Sequence, residues 1–411
     1  MSLTTRVSLV ALSCAFATAA QANTGTLSNP NISAVLDGYY QTGERPMAER
    51  TEGFGLGETE LAISANIDDS FYGKVTAILE SHDGETEINL EEAFIQTLAL
   101  PGGLSVRGGR FLSDIGYLNN QHKHTDSFTD RPVVYRSFLG NHYFDDGIRL
   151  NYVAPTDLYW TMGVEAFAGD KMRAADEHGE RDFKTVGVYT AYTKFGGDIG
   201  QESSWQLGLS YLRNENGVSY LEEHEEHEEH AAEEHGHDDH GHSHSAAYTG
   251  KNMFVADFTF KWAPDGNYKY QNLTLSGEYF RVTDIFAEGM HEEHEEEHEH
   301  EEHEEEHHEH EVDFDAYNTG WYLSGVYKFS PSWSAGVRYG QVDLHEAHED
   351  HLDKLKLKET EVMVAYHPSH FSVIRLQYTK QDGVNHFGIE DDNIFTLQYN
   401  MTLGAHGAHQ F

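Results

Sequence analysis

Apolar and polar side chains alternate with a period of two along most of this chain. Leu61, Ile63, Ala65 and Ile67 interleave with Ala62, Ser64 and Asn66, and Trp205, Leu207, Leu209 and Tyr211 with Gln206, Gly208 and Ser210. Phe254, Ala256, Phe258, Phe260 and Trp262 stand against Val255, Asp257, Thr259 and Lys261, and Phe395, Leu397, Tyr399, Met401 and Leu403 against Thr396, Gln398, Asn400 and Thr402. A period of two marks a strand whose two faces meet different surroundings. Sixteen such segments are predicted, near 32–40, 56–67, 71–80, 88–98, 103–111, 146–153, 157–168, 184–194, 204–213, 252–262, 270–282, 317–329, 333–343, 358–366, 370–380 and 393–403. Each is about 10 residues long, the length a tilted strand needs to cross a bilayer.

What separates the segments is as informative. Short connections carry turn chemistry: Asp68-Asp69-Ser70, Leu100-Pro101-Gly102, Ala154-Pro155-Thr156, Gly196-Gly197-Asp198, Ala263-Pro264-Asp265-Gly266, Ser330-Pro331-Ser332 and His367-Pro368-Ser369. They alternate without exception with longer ones, among them 112–145, 214–251, 283–316 and 342–357. Short periplasmic turns and long extracellular loops are the habit of outer-membrane barrels. The expectation is an all-β fold: a 16-stranded antiparallel transmembrane β-barrel with long, disordered His/Glu-rich extracellular loops and periplasmic termini. A soluble sandwich also alternates, but its strands run nearer 5–6 residues and its polar face is charged and wet.

Composition agrees. Val7 to Ala20 is an apolar run after Arg6, followed by Ala20-Gln21-Ala22, which reads as a signal peptide over 1–22, leaving 23–411 as the barrel. Cys14, the one cysteine, lies inside that leader, so no disulfide, thiolate metal site or cysteine nucleophile is expected. The chain holds 23 Tyr and 22 Phe yet no apolar run of a length that spans a membrane as helix. Its formal charge of −43 excludes nucleic-acid binding by charge attraction.

Much of that charge sits in two runs written in histidine and acid. Residues 222–244 hold His224, His227, His230, His235, His237, His240, His242 and His244; residues 291–311 hold His291, His294, His298, His300, His303, His307, His308 and His310 among 13 Glu. A smaller echo, 345–353, carries His345, His348 and His351. Like charges repel and nothing apolar repays the ordering entropy, so such runs stay unfolded alone. Imidazole with carboxylate suits Zn²⁺, or Cu²⁺ and Ni²⁺, better than Ca²⁺ or Mg²⁺. Weak, exchangeable metal capture is the reading; a solvated, ligand-free loop is the alternative. His294–His298 and His303–His307 fit the H-E-x-x-H pattern, but a two-letter run produces it unavoidably and no packed helix or third ligand accompanies it. No G-x-S-x-G occurs, and no enzyme is expected.

Parity points Glu58, Glu60, Glu80, Arg107, Arg149, Glu165, Lys261, Glu278, Arg338 and Arg375 into the lumen; Arg110 has the other parity, with Gly108-Gly109 as a bulge that would re-aim it. The segment 112–145 carries His122, Lys123, His124, Asp126, Arg131, Arg136, His142 and Asp145, and would either fold inward as a constriction or remain an outer loop. The expected pore-lining set is Arg107, Arg110, His122, His124, Arg149, Lys261, Glu278, Arg338 and Arg375.

Gly108 to Asn119, Asn66 to Lys74, Leu90-Glu91-Glu92-Ala93-Phe94 and the tail Gly404 to Phe411 resemble the zinc-regulated outer-membrane porin family, some members of which are labelled TonB-dependent receptors. That family is distantly similar to phosphate-selective sixteen-strand porins. The resemblance implies expression under zinc shortage and a role in zinc uptake, with no organic cofactor. With no plug domain, and too short for 22 strands plus a plug, the chain is not expected to couple to TonB; homotrimers are the habit of such porins. The expected function is a porin that captures Zn²⁺ on its outer loops and lets it diffuse to the periplasm. The alternatives are a general or anion-preferring porin whose loops only buffer metal, and a surface adhesin or structural barrel that does not conduct.

Overall fold

The computed structural model describes residues 30–82, 85–173, 183–217, 248–285, 316–348 and 351–404. In chain order the strands are β1 (Asn31–Gln41), β2 (Gly53–Leu56), β3 (Thr59–Asn66), β4 (Phe71–His82), β5 (Glu85–Thr97), β6 (Leu104–Leu112), β7 (Phe144–Val153), β8 (Tyr159–Phe167) and β9 (Val188–Ile199). They continue as β10 (Ser203–Asn214), β11 (Asn252–Trp262), β12 (Asn272–Thr283), β13 (Asn318–Ser330), β14 (Trp333–His348), β15 (His351–Ser369), β16 (Ser372–Asp382) and β17 (Asn393–Gly404). All pairings are antiparallel, and β17 returns to β1 with Leu403 opposite Ala34 and Thr396 opposite Gln41. Closure leaves no sheet edge unpaired.

β2 and β3 are halves of one stave. β2 pairs with the second half of β1, Phe54 opposite Tyr40, and β3 with the first half, Glu60 opposite Val35. The barrel therefore has sixteen staves, one interrupted at Gly57-Glu58, and the expected fold class stands.

The two faces invert a soluble protein. Leu397 is 50% exposed beside Thr396 at 1%, and Val337 is 53% exposed beside Arg338 at 3%. Apolar side chains thus face out and polar ones in, the arrangement that lipid outside and polar contents inside demand. Outward aromatics gather toward both ends: Trp333 and Tyr366 lie 4.8 Å apart beside the 331–332 turn, and Tyr378 and Phe395 5.1 Å apart toward the other rim.

Three expectations need correction. The turn placed at Gly196-Gly197-Asp198 lies within β9, where Gly197 pairs with Trp205; the reversal is at Gly200, whose φ of +68° suits glycine. The long loop expected over 342–357 is paired strand: β14 and β15 run 16 and 19 residues, with His345 opposite Lys354 and His348 opposite His351. Both exceed a tilted crossing, so this hairpin projects past the membrane zone. Finally, the inner face is not polar throughout. Phe280, Val282, Val342, Leu344, Leu355 and Leu357 are all buried inward on one side of the barrel.

Candidate channel and the segment folded inside it

The chain between β6 and β7 packs into that apolar cluster, as do Val384, Met47 and Tyr248 from other connections. Here residues 133–139 form the helix α1 (Val133–Leu139), all seven of them buried, started after Pro132 and ended by Gly140 at φ +55°. Val133, Val134 and Phe138 press onto Gly340 and Gly320 of β14 and β13, where a side chain would meet them. Two glycines in adjacent strands make the groove that admits the helix.

Polar groups from the wall then hold the rest of the segment. Glu278 receives the backbone N–H of Tyr117 at 2.8 Å and of Leu118 at 3.2 Å, and the hydroxyls of Tyr135 and Tyr322 donate to it at 2.9 and 2.7 Å. Gly116, at φ +63°, passes so close that a Cβ would strike this carboxylate and the Tyr135 hydroxyl. Gly116 N–H donates to Ser210 Oγ and Thr129 N–H to Gln377 Oε1, at 3.2 and 2.9 Å.

A buried ion network locks the other end. Arg45, from the 42–52 connection, reaches Asp130 at 3.0 Å, Glu359 at 2.8 Å and Glu361 at 2.9 Å. Arg50 joins Asp37 at 2.6 Å and Asp130 at 3.2 Å; Arg136 of α1 meets Glu359 at 2.5 Å; Arg338 pairs with Glu361 and donates to the Asp130 carbonyl at 2.7 Å. Burial opposes ionisation of Asp130, but Arg45, Arg50, Arg136 and Arg338 outweigh it and hold its carboxyl below the ordinary aspartate range.

Beside the segment a cavity of about 720 Å³ remains. Arg107 and Arg149, paired across β6 and β7, border it with Lys194, and so do Glu60, Glu92 and His122. Arg107 takes up the Gln96 carboxamide at 2.6 Å and stacks on Phe94 at 4.1 Å, while Arg149 bonds Glu165 at 2.5 Å. Both signs of charge border one narrow space, where the low-dielectric walls focus their field.

The acidic wall owes its density to a β-bulge. The register between β4 and β5 shifts after Thr76–Glu92, so that Ala77 pairs with Leu90 and Glu91 is the extra residue. Both Glu91 and Glu92 are consequently buried inward, at 1% and 3% exposure. His122 lies between them, Nδ1 2.9 Å from Glu91 and 3.3 Å from Glu60, Nε2 3.0 Å from Glu92. His124 Nδ1 is 3.0 Å from Glu60, and His142 Nε2 3.0 Å from Glu91. Burial works against charge on His122, yet Glu91, Glu60 and Glu92 hold its pKa well above the usual range. Burial wins at His142, taking it down to about 4 and leaving it neutral.

The expected lining residues divide by role. Arg107, Arg149, His122 and His124 border the cavity. Glu278, Arg338 and Arg375 point inward but are covered by the 113–143 segment; Arg375 donates to Gln398 and, at 2.7 Å, to the Asp126 carbonyl. Arg110 does not border the cavity: it pairs at 2.8 Å with Asp146, which is exposed. Lys261 is half-buried near the turn end of β11. His345 is part-buried against Asn318, and His348 and His351 are backbone partners. The histidines of 222–244 and 291–311, the leader and the tail lie outside the described residues. Sequence reasoning overlooked Glu91, Arg45, Arg50, Glu359 and Glu361. For Glu91 a signal existed, since the pair Glu91-Glu92 breaks the alternation within a strand. The others become partners only through contacts of long sequence separation.

No family model matches the chain. An uncharacterized protein of Aquifex aeolicus (strain VF5) is 27% identical over 376 residues, 87% of this chain and 70% of that one. Among solved structures, the outer membrane channel DcaP of Acinetobacter baumannii superposes at a TM-score of 0.52 with 12% identity, covering 91% of this chain and 96% of that chain. Salmonella typhi OmpF, in complex with daunomycin, gives 0.50 and 10%, over 91% and 97% of the two chains. At such identities the likeness establishes the fold alone: a closed antiparallel β-barrel like that of these two proteins, here with the chain between β6 and β7 folded inside.

Proposed function

We propose that the chain is an outer-membrane diffusion channel whose inward-folded segment 113–143 sets the constriction, and whose His/acid runs gather Zn²⁺ or a similar divalent transition metal at the outer mouth. The observation that carries the channel reading is the charged cavity left beside the segment, bordered by Arg107, Arg149 and Lys194 together with Glu60, Glu92 and His122. A structural barrel with no conduction would have no use for so many desolvated charges around an open space. Metal capture rests on the composition of 222–244 and 291–311, where many weak sites would concentrate ions yet release them. With an even number of staves, both termini lie on one side, taken as periplasmic, and the long connections face outward.

Planar-bilayer recording tests the channel, with reproducible single-channel steps expected from the purified protein and silence counting against it. Deleting 222–244 and 291–311 tests the capture role: growth under zinc chelation should fall while conductance persists. A second reading, a general or anion-preferring porin whose loops only buffer metal, draws support from the facing pair Arg107 and Arg149. Unchanged zinc-limited growth after the deletion would favour it.

A further inference from the structure

The cluster on the acidic wall has the make-up of a metal site, separate from the outer runs. Glu60 Oε2, Glu91 Oε2 and His122 Nδ1 stand within hydrogen-bonding range or just beyond it, at 2.9 and 3.3 Å, and one ligand atom from each of the three residues lies within 4.8 Å of the others. Among the described residues, Nδ1 of His122 and both oxygens of the buried Glu91 carboxylate sit in ion-pair contact, at 2.9 Å and, to His142, 3.0 Å, without the alignment of a hydrogen bond. The atoms converge, but not along the directions an N–H would need. Once the proton on Nδ1 is displaced, the three converging ligand atoms suit a cation at their centre.

Size and charge agree. Zinc bonds of about 2.0–2.2 Å to nitrogen and oxygen place tetrahedral ligand atoms about 3.3 Å apart, close to the His122–Glu60 separation of 3.3 Å. Three carboxylates, Glu60, Glu91 and Glu92, face the cationic partners Lys74 and His122, with Lys74 Nζ 2.5 Å from Glu92 and 2.7 Å from His122 Nε2. Lys74 therefore occupies the Nε2 side of the ring and leaves the Nδ1 side to Glu60 and Glu91. His142, 3.0 Å from the other Glu91 oxygen, orients that carboxylate in the way an outer-sphere partner orients a ligand.

We propose that Glu60, Glu91 and His122 bind one divalent transition-metal ion inside the barrel, at the junction of the β5 bulge and the inward-folded segment. An imidazole in the set selects zinc-like ions over Ca²⁺ and Mg²⁺. The site borders the cavity, so that an ion held there stands in the conduction space. It does not depend on the outer runs, nor on the channel reading.

The test uses the full-length protein. Crystals soaked in ZnCl₂ should give an anomalous peak at the zinc edge between His122 Nδ1, Glu60 and Glu91, and none there in Glu91→Gln. In bilayers, micromolar ZnCl₂ on either side should interrupt the wild-type current, and Glu91→Gln or His122→Ala should raise the concentration for half-block at least tenfold. MgCl₂ at the same concentration should leave the current unchanged. A wild-type crystal saturated with zinc but lacking this peak overturns the proposal, whatever the variants do. A peak from a protein that passes no current would uphold the site and sink the channel.

Discussion

Arg45 and Asp130, 85 positions apart in sequence, meet at 3.0 Å inside the barrel, and through this contact two connections brace one another against the wall. The same guanidinium holds Glu359 and Glu361, so its loss takes one cation from three buried carboxylates and leaves each with a single arginine, Arg50, Arg136 or Arg338. Truncating one partner of such a buried network costs about 3–5 kcal/mol. Arg45→Ala should lower the unfolding free energy in urea by that order, and single-channel traces should turn noisy as the 113–143 segment loosens. Quiet traces with unaltered unfolding would show the clamp to be dispensable.

Acid should release the same clamp. The Asp130 pKa lies below its unfolded value, so its contribution is complete above about pH 4 and is lost as pH falls through the depressed folded value. The groups around it are Arg45, Arg50, Arg136 and Arg338, with Asp37, Glu359 and Glu361 sharing those cations. Conductance should therefore be steady from pH 7 down to about 4, the ordinary aspartate range, and become erratic only at more acid pH. Asp130→Asn should show the erratic behaviour already at pH 7.

Glu278 anchors the opposite end of the segment through four donors: two backbone N–H groups and the Tyr135 and Tyr322 hydroxyls. Glu278→Ala leaves the Tyr117 N–H and the two hydroxyls without this acceptor, each at about 1–3 kcal/mol before relaxation or water entry softens the loss, while the Leu118 N–H keeps the Tyr135 oxygen at 3.1 Å. Glu278→Gln keeps the shape but replaces one acceptor oxygen by a donor. Proteolysis between 113 and 143, read by mass spectrometry, should rank Ala above Gln above wild type. Equal protection in all three would contradict the anchor.

Ion preference should answer to Arg107 and Arg149. They face one another across adjacent strands and border the cavity, so their charge acts on whatever passes. Arg107→Gln, which keeps the stacking surface over Phe94 only in part, should move the reversal potential in a salt gradient toward cations. A change in permeability ratio of about 2–5-fold is the expected scale for one charge in a focused field. No movement would place the selective step elsewhere.

How much of this was legible beforehand varies with the length scale of the cause. All sixteen staves could be read because parity is local: a strand residue sees lipid or lumen according to its own odd or even position. Even so, two boundaries failed for local reasons. Glycines at 196 and 197 read as a turn yet lie in strand, and the acid and histidine of 342–357 read as loop yet pair as a hairpin. Turn chemistry lowers strand propensity; it does not veto a ladder that neighbours on both sides complete.

Inside the barrel, parity could say only that a side chain points inward, not what it meets there. Phe280 and Val342 have lumen parity and are apolar because α1 lies beside them, and Gly320 and Gly340 are small for the same reason. Glu278 and Arg338 read as lining yet serve as anchors, whereas Arg107 and Arg149 line the cavity. The pattern of alternation by itself determined a closed, lipid-facing barrel, because solvent on each face is imposed residue by residue. Whether 112–145 turned inward, and which charges remained beside open space, was decided only by tertiary contacts. Arg45 with Glu361 and Thr129 with Gln377 are separated by hundreds of residues, and no local periodicity records a partner that far away.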